Sequence, residues 1–348
     1  MTSPAKAEGS GPSIALDPEL ESKPEPVKGE KKLEGRSPGQ LMWQRFKRDR
    51  TGVICAGVVI FYFAVALLSP LLTKLSGTNP YTLYGQDPTY ADKPVLDEFG
   101  LPLGWFGGLS GEHWFGVEPQ YGRDVFAMLV YGMRTSLFMA LGVTVLLMVT
   151  GVIIGLIGGY FGGRTDYWIG RVTDFFLSFP QQLFFIAFMP VVTAFFVDPR
   201  EETPTYFRAL AMLIVLWLLG WMGMARLVRS TVLSLREREF VEAAKVSGAS
   251  PGRIVRKEIL PNVVTPILVQ FTYQLPSTIL TIAFLSFAGV GFVEPTPDWG
   301  RLFAAGADYA QQDPAFIFFP GMALVIFVLA FNLLGDSVRD AFDPKSGR

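Results

Sequence analysis

Six stretches of this chain stay apolar for long enough to cross a bilayer, while the segments between them are rich in charge, proline and glycine. A hydrocarbon core about 30 Å thick calls for about 20 apolar residues in a helix rising 1.5 Å per residue. The pattern predicts spans near residues 51–72, 136–159, 175–197, 209–225, 263–288 and 315–335, an all-α polytopic membrane fold. Residues 1–40 hold Pro, Gly, Ser, Glu and Lys with almost nothing apolar, so ordering them would cost entropy without burial. A disordered cytoplasmic tail is expected there. The basic and aromatic run from Trp43 to Arg50 suits the headgroup level, so 41–72 reads as an interfacial segment and the first transmembrane helix.

Lysine and arginine fall unevenly between the spans. With the N-terminus inside, segments 31–50, 160–174, 226–262 and 336–348 hold 20 basic residues, against 7 in segments 73–135, 198–208 and 289–314. By the positive-inside rule the chain is N-in and C-in, with an external loop and pre-helix segment over 73–135. A core of spans then fills 136–335, and a cytoplasmic C-terminus follows at 336–348. Pro180 and Pro190 in the third span and Pro266 and Pro276 in the fifth predict kinks, which membrane helices tolerate when neighbours re-satisfy the freed carbonyls. Gly151, Gly155 and Gly159 make a small-residue face suited to close helix packing, either within this chain or against a second membrane chain.

The loop at 226–262 is too polar to cross a membrane and too long for a simple connection. Leu235 to Val246 is built of helix formers, with apolar positions 240, 241 and 244 on one side. Gly248 can end that helix in a left-handed conformation. Ser250 and Pro251 read as the cap and first position of a second short helix through Ile254, Val255 and Ile259, closed at the membrane by Leu260-Pro261-Asn262. A helix, a glycine turn and a helix between two spans form a stiff knob suited to docking on another protein.

Composition sharpens the class. Half of the residues are hydrophobic and only 18% are charged, below the roughly 25% of soluble domains. The formal charge of -1 offers no basic excess for nucleic acid. One cysteine, Cys55, and one histidine, His113, cannot build a disulfide framework or a cluster of Cys and His ligands, so no metal site is expected. Cys55 reads as a small apolar residue, and Trp114 and Phe115 beside His113 as an interfacial pair. No catalytic set of Ser, His and Asp can be assembled, and the phosphate-binding pattern Gly-x-x-x-x-Gly-Lys-[Ser/Thr] is absent, so this chain is expected to be no enzyme and to bind no ATP itself.

Glu242-Ala243-Ala244, Gly248 and Ile259-Leu260-Pro261-Asn262 resemble the EAA loop of membrane subunits from binding-protein-dependent ABC importers. Gly122-Arg123-Asp124-Val125, Tyr131 to Leu137, Asp174 to Pro180, Leu285 to Gly291, Pro295 to Gly300 and Gly335 to Pro344 are similar to the second permease chain of the peptide and nickel branch. The likeness runs from about 42 to 345, with Glu258 where that branch often has histidine and Val117-Glu118 where it often has Thr-Asp. It implies a type I importer permease of six helices in the bacterial cytoplasmic (inner) membrane, working by alternating access. Its partners would be a second permease, two ATPases that hold ATP and Mg, an extracytoplasmic solute-binding protein and membrane lipid. The resemblance assigns ATPase coupling to Glu242, Ala243, Ala244, Gly248, Ser250, Leu260 and Pro261. Peptides are the implied cargo, with nickel chelates or other small solutes as the alternative.

In the fifth span Gln270, Gln274, Thr278 and Thr281 recur at 4, 4 and 3 residues and share one helical face. They read either as interhelical hydrogen-bonding groups or as the lining of a hydrated substrate path. A self-sufficient carrier or channel would call for ionisable residues deep in the spans, whereas Asp174, Arg226 and Asp336 all fall at span ends.

Overall fold

The computed structural model describes residues 38–197 and 203–342. Most of the expected tail at 1–40 lies outside the described residues, as do 198–202 and 343–348. Among the described residues the chain forms thirteen α-helices. The first is α1 (Pro38–Arg48), in which Trp43 stacks on Phe46 and carries Lys47 Nζ 5.1 Å from its ring centroid.

The first span is α2 (Arg50–Leu67), capped by Asp49, whose carboxylate accepts from Thr51 N. It stops short of the expected 72. Leu68 leaves the helical path, and α3 (Ser69–Ser76) restarts with Pro70 in its first turn and ends on left-handed Gly77. The second span, α4 (Val125–Phe161), is 37 residues long and starts 11 residues before the expected 136. Asp124 caps it through Ala127 N, and the polar group of Ser136, at the expected start, is buried, accepting from Trp299 N. Polar residues satisfied by tertiary contacts do not interrupt a helix.

The third span differs from the expectation of one kinked helix at 175–197. Instead α5 (Gly163–Leu177) and α6 (Gln181–Phe196) meet at 85° across Ser178-Phe179-Pro180. Proline lacks the N–H that would continue α5 and biases the residue before it away from helix, so Pro180 makes a break; Pro190, Pro266 and Pro276 lie inside continuous helices. Next come α7 (Thr205–Gly220) and α8 (Met222–Leu235), a 31-residue path from Thr205 to Leu235. Arg226 to Leu235, expected to begin a loop, therefore continue the fourth span as helix.

The connection holds α9 (Glu239–Val246) and α10 (Pro251–Ile254), then a π-helical turn at Val255–Ile259 that runs into α11 (Leu260–Phe287). The expected closure at Leu260-Pro261-Asn262 does not occur. The wider π turn passes the chain into α11 at the point where Pro261 has no N–H to donate. An unforeseen helix, α12 (Trp299–Asp308), follows, and α13 (Pro314–Phe342) is the last described element. Among the described residues five helical paths are long and apolar enough to cross a membrane, or six with the bent pair α5–α6 counted as one.

The described residues from Met42 onward form one compact unit. Its core gathers apolar residues of α2, α4, α6, α7, α11, α12 and α13 around Trp299, Phe316 and Phe327, with Tyr62 donating to Ala323 O at 3.0 Å. The glycine face of α4 is covered within this chain by α8. A Cβ on Gly151, Gly155 or Gly159 would lie 2.6–2.7 Å from Met224, Val228 or Val232, or from the carbonyl of Ala225.

Candidate functional site

The knob between α8 and α11 is built by local rules. After Val246, Ser247 ends α9 and Gly248 turns left-handed at φ 76°. Ala249 N then bonds Ala244 O and Gly248 N bonds Lys245 O, both at 3.0 Å, which is the Schellman arrangement for a helix end. No atom lies within 4 Å of a Cβ built on Gly248, so its backbone angle alone requires glycine. Ser250 holds the cap position of α10 as expected, but its hydroxyl makes no capping bond.

The knob is seated on one side only. Val241, Ile254 and Ile259 are fully buried with Met224, Val228, Val232 and Val263 in a cluster of their own. Phe240, expected on one side of the helix with Val241 and Ala244, is 40% exposed while Val241 is buried. Val246 is 88% exposed, an outward apolar position that the sequence pattern did not reveal. Glu242 and Ala243 also face outward, with Glu242 Oε1 accepting from Lys245 Nζ at 2.7 Å. Leu260 and Pro261 lie apart from this surface, in the first turn of α11.

Within the spans, Gln274, Thr278 and Thr281 line a cavity of about 220 Å³, joined by Gln181 of α6 and Ser277; Gln270 is not among its lining residues. Thr278 donates to Gln274 O and Thr281 to Ser277 O, so these hydroxyls satisfy their own helix and keep lone pairs to offer. Gln181 donates to Leu219 O at 2.9 Å, filling a carbonyl beside the break between α7 and α8. Two interruptions meet at this cavity, the α5–α6 bend between Leu177 and Gln181 and the α7–α8 break after Gly220. None of the lining residues carries a charge.

The family described as "Binding-protein-dependent transport system inner membrane component" matches residues 151–348, and "N-terminal TM domain of oligopeptide transport permease C" matches 37–95. The dipeptide transport system permease protein DppC of Alkalihalophilus pseudofirmus is 34% identical over 89% of this chain and 90% of its own length. The chain belongs to this family of importer membrane components. The oligopeptide transport system permease proteins OppC of Bacillus subtilis and Haemophilus influenzae are 32% and 33% identical, over 86% and 91% of this permease and 88% and 91% of their own lengths. A chain of the methionine ABC transporter MetNI, solved in inward-facing conformations, is 21% identical and overlaps 63% of this chain and 97% of that chain with a TM-score of 0.49.

The permease also carries a polar centre, on the side expected to be external, that sequence reasoning treated only as motif. Arg123 sits between Glu118, bonded through Nε and through Nη2 at 2.7 Å, and Glu294, at 2.6 Å from Nη1; Arg301 also pairs with Glu294. These contacts tie the start of α4 to the segment before α12. His113 is buried, with Nδ1 2.8 Å from the carboxylate of Asp124, the residue that caps α4. Among the described residues no group of three or more His, Cys, Asp or Glu is placed to hold a metal ion.

Asp298 is wholly buried at the cap of α12, where Oδ1 accepts from Gly300 N, and burial pushes its carboxyl up to about 6. A carboxyl with a raised folded-state pKa stabilises the fold below its unfolded value, near 3.9, and that contribution is lost as pH rises through about 6. The implied destabilisation at neutral pH is about 3 kcal/mol at most. Asp298→Asn keeps the acceptor and removes the charge, so relative to wild type the variant should melt higher at pH 7.5 than at pH 4.5. Thermal unfolding in detergent at the two values checks this, and parallel wild-type and variant curves would contradict it.

Proposed function

We propose that this chain is one of two permease subunits of an importer that moves di- or oligopeptides inward across the cytoplasmic membrane. Both termini lie inside, a solute-binding protein delivers cargo outside, and two partner ATPases hold ATP and Mg. The reading is carried by the stiff, one-sidedly seated knob at Glu239–Ile259, whose outward face joins Glu242 and Ala243 to exposed Phe240 and Val246. Exposed Phe240 and Val246 interspersed with the exposed charges of Glu239, Glu242 and Lys245 suit a protein partner, and the sequence holds no phosphate-binding loop of its own. Closure of the ATPase pair would then become a rigid-body rotation of spans.

The peptide assignment is supported by relatives named for dipeptide and oligopeptide transport and by the uncharged cavity at Gln181, Gln274 and Thr281. Amides and hydroxyls can bond peptide groups without fixing the charge of the cargo's side chains. Gln274→Leu with Thr281→Val is expected to lower peptide uptake roughly tenfold while complex assembly and ATPase activity persist, since each lost bond to a buried polar partner costs about 1–3 kcal/mol. Uptake of labelled peptides by vesicles checks it. Recovery of the tagged chain with a second permease and an ATPase pair tests the wider reading; recovery of a lone chain that still transports would favour a carrier.

A further inference from the structure

Two parts of the fold are joined in contrasting ways. The glycine face of α4 locks α8 in place, and the knob shares a buried apolar cluster with α8, Met148 of α4 and Val263 of α11, so these elements make one packed unit. Helix α5 touches α4 at its middle, where Ile169 packs over Gly158, but between α5 and α8 lies a cavity of about 540 Å³. Two ion pairs bridge α5 and α8 beside it. Arg229 grips both carboxylate oxygens of Asp166, with Nη2 to Oδ2 at 2.7 Å, and Arg226 Nη2 lies 2.5 Å from Asp174 Oδ1.

The ends of α5 are both joints. Gly162, just before it, and Gly163, its first residue, have φ 63° and 55°, and the 85° bend at Ser178-Phe179-Pro180 follows it. Immediately beyond that bend stands Gln181, which lines the membrane cavity. The Arg226–Asp174 pair is more than half exposed on both sides, and solvent-exposed pairs are weak enough to open and close without breaking a core.

We propose that α5 is a lever between the knob and the transport path, clasped to the packed unit by Asp166–Arg229 and Asp174–Arg226. Arg226 and Arg229 are positioning residues: rearrangement of the clasp on nucleotide binding swings α5 about its two joints and shifts Gln181 against Gln274 and Thr281. This rests on the importer reading, and it adds the route from knob to cavity.

The test uses the purified complex with its ATPases and binding protein in proteoliposomes. Arg226→Gln with Arg229→Gln should assemble and keep its basal ATPase, while peptide moved per ATP falls roughly tenfold, within the usual range of coupling between sites. The exchange Asp166→Arg with Arg229→Asp should restore part of that ratio, which a loss of folding would not allow. Spin labels at Thr165→Cys and Ser230→Cys, both exposed, should change separation when a non-hydrolysable ATP analogue is added. An unchanged transport ratio in the double variant, or a label separation indifferent to nucleotide, would overturn the clasp. If the wild-type complex hydrolyses ATP but imports no peptide, the cargo assignment fails, while the label separation still decides the clasp.

Discussion

Replacing Gly155 with leucine is expected to leave little folded permease in the membrane. The position faces α8 so closely that a Cβ would stand 2.7 Å from Ala225 O and from Val228 Cβ. One of those neighbours is backbone, which no rotamer change relieves. Overpacking a tight interface typically costs about 1–3 kcal/mol, and this site belongs at the upper end because α4 and α8 must separate along their length. A Cβ on Gly142, in the same helix, would have nothing within 4 Å, so Gly142→Leu serves as the control. Fluorescence size-exclusion of detergent extracts should give a monodisperse peak for Gly142→Leu and aggregate or nothing for Gly155→Leu. Equal peaks would mean that the face is not a fixed contact.

The second large effect is expected at Gly248, and it should spare the fold. Proline there cannot take φ 76° and removes the N–H that bonds Lys245 O, so the turn between α9 and α10 must open. Since the spans do not depend on that turn, the protein should still accumulate, while ATP-driven uptake falls roughly tenfold or more. Alanine meets no clash and only the left-handed penalty of about 1–2 kcal/mol, so Gly248→Ala should be intermediate and Gly248→Asn mild. A graded series in uptake at constant membrane abundance is the expected pattern. Full uptake in Gly248→Pro would remove the turn from the coupling account.

The parts of the structure that sequence reasoning reached are those set by local chemistry. Gly248 could be read because a left-handed helix end needs a residue without Cβ, and the Gly151-Gly155-Gly159 face because four-residue spacing puts small residues on one side. The partner of that face stayed open until α8 was seen against it. What escaped depended on distant groups. Ser136 marked a false helix start because its acceptor role toward Trp299 N is invisible from position 136 alone. Glu294 pairs with Arg123 across 171 positions, and no spacing rule joins them. The π turn before Pro261 and the outward placement of Phe240 and Val246 follow from how the knob seats on α8 and α11. Gln270, Gln274, Thr278 and Thr281 all lie in α11, yet of the four only Gln274, Thr278 and Thr281 line the cavity.

The central claim is that this chain turns the ATP hydrolysis of its partners into inward movement of peptide through the knob at Glu239–Ile259. The most direct measurement is uptake of a labelled oligopeptide by proteoliposomes holding the complex purified through a tag on this chain, with binding protein outside and ATP inside, beside the same complex carrying Gly248→Pro. The account predicts ATP-dependent accumulation in the first and its loss in the second with both ATPases still bound. Accumulation without ATP, or equal accumulation in the two, would contradict it.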